Sequence, residues 1–122
     1  MSDLNQVQIT ARLTAEPRYL EKPTDKVVKK MTILLTACNY RARDSETGRP
    51  RDCATYIDVN CYGVLAEFAR DNLHTGDPVF VTGRLRTSRW VGKTGQREKV
   101  VMDCDLLVKL NHVKVAKAEA KI

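Results

Sequence analysis

Along most of this chain apolar and polar residues take turns, the pattern of a strand with one buried face. Val7, Ile9, Ala11 and Leu13 alternate with Gln6, Gln8, Thr10 and Arg12, which predicts a first strand. Glu16-Pro17 should break or bend it, and Pro23-Thr24-Asp25 reads as a turn. A second, long strand is expected from about Val27 to Tyr40, with Met31, Ile33, Leu35 and Ala37 as its apolar face. Residues 41–53 read as a loop, because Arg41, Arg43, Arg49 and Arg51 mix with Asp44, Glu46 and Asp52, and Thr47-Gly48 marks a turn. A third strand, from about Ala54 to Tyr62, turns Ile57, Val59 and Cys61 to one side.

The period then changes once. Val64, Leu65, Phe68, Ala69 and Leu73 follow helical spacing, with Glu67, Arg70 and Asp71 on the polar side. Thr75-Gly76-Asp77-Pro78 ends this helix, with Gly76 as its left-handed cap. A fourth strand covers about Val79 to Trp90, and Val91-Gly92-Lys93-Thr94-Gly95 is a hairpin tip. A fifth runs from about Arg97 to Leu110, with Val100, Met102, Cys104, Leu106 and Val108 on one side. After Val113 the chain is rich in Lys and Ala, and a frayed or helical tail is expected there.

The order is therefore three strands, one short helix, two strands. Closing the sheet removes its exposed edges. The expected fold is all-β: a five-stranded OB-fold Greek-key barrel with one short helix between strands three and four. An open sheet with the helix on its face is the other arrangement this order allows. The 122 residues suffice for one domain with its own core, here residues 1–110, followed by a short basic tail at 111–122.

The net charge of +6 is unevenly spread. Residues 84–99 hold Arg84, Arg86, Arg89, Lys93, Arg97 and Lys99 against Glu98 alone, a local +5. Residues 109–122 carry +3 and the remainder of the chain −2. Positive charge this concentrated points to a polyanionic partner, nucleic acid or an anionic surface, against the plainer reading of a solvated basic hairpin.

The faces opposite the apolar ones say which. Of seven aromatic residues, four (Tyr40, Tyr56, Tyr62 and Trp90) fall on positions the alternation marks as outward. Each alone is an ordinary strand residue. Together, beside arginines as in Tyr40-Arg41 and Arg89-Trp90, they match the needs of single-stranded nucleic acid. Unpaired bases stack on aromatic faces at roughly 1–3 kcal/mol per base while phosphates pair with Arg and Lys. Asp58, on the same face as Tyr56 and Tyr62, fits poorly unless an arginine or a subunit contact neutralises it.

Other chemistry is poorly supported. Cys38, Cys53, Cys61 and Cys104 lie far apart with no Cys-x-x-Cys pair, so no metal site and no cofactor is expected, and free thiols fit a reducing cytosol. His74 and His112 have no evident nucleophile or orienting partner, and Asp103 and Asp105 alone do not make a two-metal site, so no enzyme is expected. No apolar run reaches the ~18–20 residues of a membrane span, and the N-terminus lacks a signal-peptide pattern. A cytoplasmic, nucleoid-associated protein without a membrane partner is the expectation.

From about Asn5 to Leu110 the chain resembles the bacterial single-stranded DNA-binding protein family. Asn5-Gln6-Val7-Gln8-Ile9-Thr10-Ala11-Arg12-Leu13 resembles the opening strand, and Glu16-Pro17-Arg18-Tyr19 the corner after it. Asn39-Tyr40-Arg41 with Thr47-Gly48 is similar to the aromatic-Arg and Thr-Gly loop after strand two. The most specific stretches are Tyr56-Ile57-Asp58-Val59-Asn60-Cys61-Tyr62-Gly63-Val64-Leu65-Ala66-Glu67, and Gly76 through Trp90 ending at Gly95-Gln96. The resemblance implies an OB barrel, a homotetramer or at least a dimer, and a role in DNA replication, recombination or repair. It also implies that Tyr40, Tyr56, Tyr62 and Trp90 stack on bases, while Arg41, Arg43, Arg84, Arg86, Arg89, Lys93, Arg97 and Lys99 follow the phosphates.

Departures from the family pattern are specific. Tyr40 and Tyr56 stand where tryptophan is frequent, so weaker stacking is expected there. Ala11 replaces a usual Gly, and Val64 a frequent basic residue. The family usually continues into a Gly/Pro/Gln-rich tail with an acidic tip that recruits other enzymes. This sequence ends Lys117-Ala118-Glu119-Ala120-Lys121-Ile122, so recruitment by such a tip is not expected. The alternative is an OB-fold replication-restart or accessory interaction module, whose partner is a protein and whose strand binding is weak.

Overall fold

The structure, a computed structural model, describes residues 2–111 and 114–118. Its elements are β1 (Val7–Leu13), β2 (Arg18–Pro23), β3 (Val28–Arg43), β4 (Pro50–Tyr62), α1 (Val64–Asn72), β5 (Pro78–Gly92), β6 (Gly95–Lys109) and β7 (Lys114–Lys117). Neighbouring strands run β1-β5-β6-β4-β3-β2, and Arg12 and Leu13 of β1 pair with Ala37 and Thr36 of β3. That last pairing closes a five-stranded barrel of β1, β5, β6, β4 and β3. The helix sits between the third and fourth barrel strands, as the OB layout requires. Counting every strand, it follows the fourth, because β2 is an added strand.

The barrel is filled by Leu13, Leu34, Val59, Cys61, Val79, Val81, Met102 and Leu107, with Leu65, Ala69 and Leu73 from α1 and the turn after it. Gly63 starts the helix at φ 62°, ψ −124°, a conformation closed to residues with a Cβ, so the strand can turn sharply into α1. The helix ends at Asn72, with Leu73 already extended. Gly76 has positive φ but serves the turn into β5 and does not cap the helix.

Several expectations need correction. Arg18–Pro23 is a strand, paired with Val28–Ile33. It escaped detection because five of its six residues are exposed, and a strand wet on both faces has no alternation. The loop expected at 41–53 shrinks to 44–49, because β3 and β4 continue as a two-stranded arm beyond the barrel. Charged residues suit such an arm, since both its faces meet water.

The buried face of β3 is also reversed. Thr32, Leu34 and Thr36 point inward, while Met31, Ile33, Leu35 and Ala37 lie half-buried on the outer surface. The two threonines are tolerated inside because each hydroxyl has a carbonyl to donate to. Thr32 Oγ1 donates to Ala66 O at 2.7 Å, and Thr36 Oγ1 to Ile57 O at 2.8 Å.

On β6 the expected apolar face is interrupted. The register against β5 shifts between Thr82 and Gly83, leaving Asp105 as an extra residue. Met102 and Cys104 precede this bulge and point inward; beyond it Leu107, not Leu106, is buried. The segment expected to be frayed or helical forms β7 at Lys114–Lys117, paired with Leu106–Lys109, with Ala116 packed into the core. The rest of that expectation, at residues 119–122, lies outside the described residues.

Candidate nucleic-acid interface

The strands β2, β3, β4, β6 and β5 present one continuous outer surface. Residues directly opposite each other across a ladder share a face, so the register assigns the side chains. Met31, Ile33, Leu35 and Ala37 oppose Tyr62, Asn60, Asp58 and Tyr56. Asn60 opposes Asp103 on the parallel β6. Arg84, Arg86, Ser88 and Trp90 oppose Asp103, Val101, Lys99 and Arg97. Tyr56, Tyr62 and Trp90 therefore stand on the same face, and all three rings are accessible, Tyr56 most of all at 74%.

Tyr40 does not join them. It opposes Cys53, an odd number of residues along β3 from Ala37, and so leaves the arm on its other side, half exposed. Arg89, opposite Glu98, likewise leaves β5 on the side away from Trp90. Arg41 and Arg43 share the side of Tyr56. Lys93 lies at the β5–β6 tip.

A shallow groove of about 290 Å³ runs beside Trp90. Its floor is Met31, Ile33 and Val101, and its polar edge is Asp58, Asn60, Ser88 and Lys99. The outward turn of the β3 apolar residues makes that floor. A second depression of about 320 Å³, near Arg12 and Leu110, has no aromatic lining and carries none of this chemistry.

The cations of this surface, with Arg89 on the reverse of the hairpin, fall into two groups. Arg86 Nε donates to Asp103 Oδ2 at 2.7 Å and its Nη2 to the Tyr62 hydroxyl at 3.1 Å. Lys99 Nζ donates to Asp58 Oδ2 at 2.8 Å, Arg89 pairs with Glu98 at 3.3 Å and Arg41 with Asp52 at 3.2 Å. Arg43, Arg84, Lys93 and Arg97 make no ion pair among the described residues; Arg97 donates to Thr94 Oγ1. Burial, then the Asp103 charge, raise the Tyr62 phenol above its usual range, so it is protonated at neutral pH and donates to Asp103.

Sequence reasoning missed the part of this surface on β2. Arg18, Leu20 and Lys22 oppose Ile33, Met31 and Lys29, which brings three more cations, Arg18, Lys22 and Lys29, onto the face of Tyr62. Counting back in twos from Met31 would have found Lys29. Among the described residues no group of His, Cys, Asp and Glu comes together that could hold a metal ion. No helix there is long and apolar enough to cross a membrane.

The model of the Single-strand binding protein family matches residues 4–105. The chain belongs to this family. The match takes in the five barrel strands nearly whole, with Tyr40, Tyr56, Tyr62 and Trp90 all inside it. Among solved structures, this family member is similar to a deletion mutant of the single-stranded DNA binding protein from Thermus aquaticus, at 29% identity and TM-score 0.74. That alignment covers 88% of this chain and 50% of the other, so the chain spans half the length of that relative. It is also similar in fold to the Plasmodium falciparum SSB in complex with ssDNA, at 18% identity and TM-score 0.72, with 98% of each chain covered.

Proposed function

We propose that this chain binds single-stranded DNA with little sequence preference and protects strands exposed in replication, recombination or repair. The observation that carries the reading is the outer face on which Tyr56, Tyr62 and Trp90 stand exposed among cations. Bases stack on the three rings, and phosphates run past Arg84, Arg97 and the arm arginines Arg41 and Arg43. Arg86, Lys99 and Lys93 complete the phosphate path we assign on this face, and Arg89 extends it to the reverse of the β5–β6 hairpin. Tyr40 adds a stacking platform for a strand that wraps around the arm. Family membership, and the strand bound by the Plasmodium falciparum relative, support the same partner. The role requires no chemical step, and we assign the protein to the nucleoid in the cytoplasm.

Self-association is part of the proposal. Val7–Ala11 of β1 pair with β5 on one side and have no strand on the other among the described residues. An open strand edge is a ready surface for a second copy. We expect a homotetramer, or at least a dimer, and a sedimentation mass equal to one chain would overturn this.

Trp90 is the chain's single tryptophan and reports on the face directly. Titration with unstructured oligo(dT) should quench its fluorescence, less so at high salt, and a duplex should not. A folded protein with no quenching by either would overturn the reading.

A further inference from the structure

The face proposed to hold an anionic strand has two carboxylates at its centre. Both are more enclosed than the cations they hold. The Asp103 side chain is 18% exposed against 44% for Arg86, and Asp58 24% against 48% for Lys99. Their position follows from register: Asp103 opposes Arg84 and Asn60, and Asp58 opposes Leu35, so both stand on the sheet face itself and not on its rim.

Their partners are also well placed. Asp103 accepts two bonds from Arg86, at 2.7 and 3.3 Å, and one from the Tyr62 hydroxyl at 3.4 Å. Asp58 accepts one from Lys99 at 2.8 Å, at the edge of the groove beside Trp90. A phosphate that approaches Lys99 or Arg86 therefore meets a cation already engaged by a carboxylate, which it must either share or displace. In either case the carboxylate cannot leave with the counterions; it stays on the face, close to the strand, where like charges repel.

We propose that Asp58 and Asp103 are built-in competitors of the bound strand, which hold Lys99 and Arg86 back from the phosphates and so set affinity and salt dependence. This rests on the single-strand binding reading. A strand binds by exchange of partners at these two cations and by direct pairing at Arg84 and Arg43, which have no carboxylate partner to give up among the described residues. The carboxylates also keep the empty face nearly neutral at its centre, which disfavours loose binding of polyanions that cannot stack.

The test is the salt dependence of binding to a labelled oligo(dT), read by anisotropy, for the wild type, Asp58→Asn and Asp103→Asn. Thermal melts select the variants that fold, and having two sites keeps the test alive if one does not. Each folded variant should bind about two- to fivefold more tightly at low salt, the scale of one exposed ion pair. Each should also steepen the slope of log K against log salt by about 0.7, the share of one added phosphate contact on a single strand. The double variant Asp58→Asn with Lys99→Gln should return to the wild-type slope. Weaker binding by both single variants would overturn the inference and mean that the carboxylates only hold the cations in position. Unchanged affinity and slope would overturn it as well. If the wild type itself fails to bind oligo(dT), the binding reading falls together with the inference; if the wild type binds and the variants match it, the inference falls alone.

Discussion

Tyr40 and Tyr56 leave the β3–β4 arm on opposite sides, although both were expected to face outward from the barrel. Tyr56 stands across from Ala37, and Tyr40, three residues further along β3, stands across from Cys53. Beyond the barrel there is no inside, so both rings reach solvent. A strand lying on the outer sheet face meets Tyr56, Tyr62 and Trp90, and reaches Tyr40 only by passing around the arm.

Strand length should therefore separate the tyrosines. With an oligonucleotide just long enough to cross the face, Trp90→Ala and Tyr56→Ala should each weaken binding by roughly 1–3 kcal/mol. Tyr40→Ala should matter little until the strand is long enough to wrap. Equal losses for Tyr40→Ala and Tyr56→Ala on the short strand would mean that the two rings share one path.

Arg84 opposes Asp103 across β5–β6 but makes no ion pair with it; Arg86 does. Arg84→Ala should flatten the slope of log K against log salt by about 0.7 with base preference unchanged. An unaltered slope in the salt titration would remove Arg84 from the phosphate path.

Gly83 is required by close approach. A Cβ there would stand 1.9 Å from the Asp103 carbonyl oxygen, at the register shift between β5 and β6. Two backbones meet, so no side chain can move aside. Gly83→Ala should lower stability by about 1–3 kcal/mol or more in urea unfolding. A variant as stable as the wild type would mean that the bulge relaxes freely.

Glu16 ties the corner after β1 to the turn before β5. Its carboxylate accepts from the Thr75 hydroxyl at 2.7 Å and the Thr75 backbone N–H, and lies 3.1 Å from His74 Nδ1. The Thr75 hydroxyl bond, then the Thr75 backbone bond and the His74 contact, lower its pKa from 4.5 to about 2. A depressed folded-state pKa stabilises above the unfolded value and ceases to as the group protonates. The stability Glu16 confers should therefore be full above about pH 4.5 and be lost as pH falls toward 2. The Tm gap between wild type and Glu16→Gln should close across that window. A gap constant from pH 6 to pH 2.5 would show that the carboxylate is unperturbed.

Period-two alternation within one strand is a local property, and it served where one face was clearly apolar. It was enough for β1, for the inward Val59 and Cys61 of β4, and for Tyr56 and Tyr62 outside them. The helical spacing from Val64 was equally plain, since α1 buries Leu65, Ala66 and Ala69 on one side. It failed on β3, where both faces are half apolar and the inward one contains threonines whose hydroxyls find carbonyls only after β4 and α1 pack. It failed on β2 because an edge strand in water has no buried face to announce.

What the sequence by itself determined is the five barrel strands around one helix, the aromatic positions on β4 and β5, and the concentration of positive charge at residues 84–99. These depend on neighbours two to four residues away, which the chain order already supplies. The tertiary structure alone decided which face of β3 lines the barrel, where the bulge at Asp105 reverses β6, and that Tyr40 stands apart from the other rings. It alone decided that Arg86 and Lys99 meet Asp103 and Asp58. Those pairs are 17 and 41 residues apart in the chain; the register of the β5–β6 hairpin brings the first within a hydrogen bond, and the pairing of β4 with β6 the second.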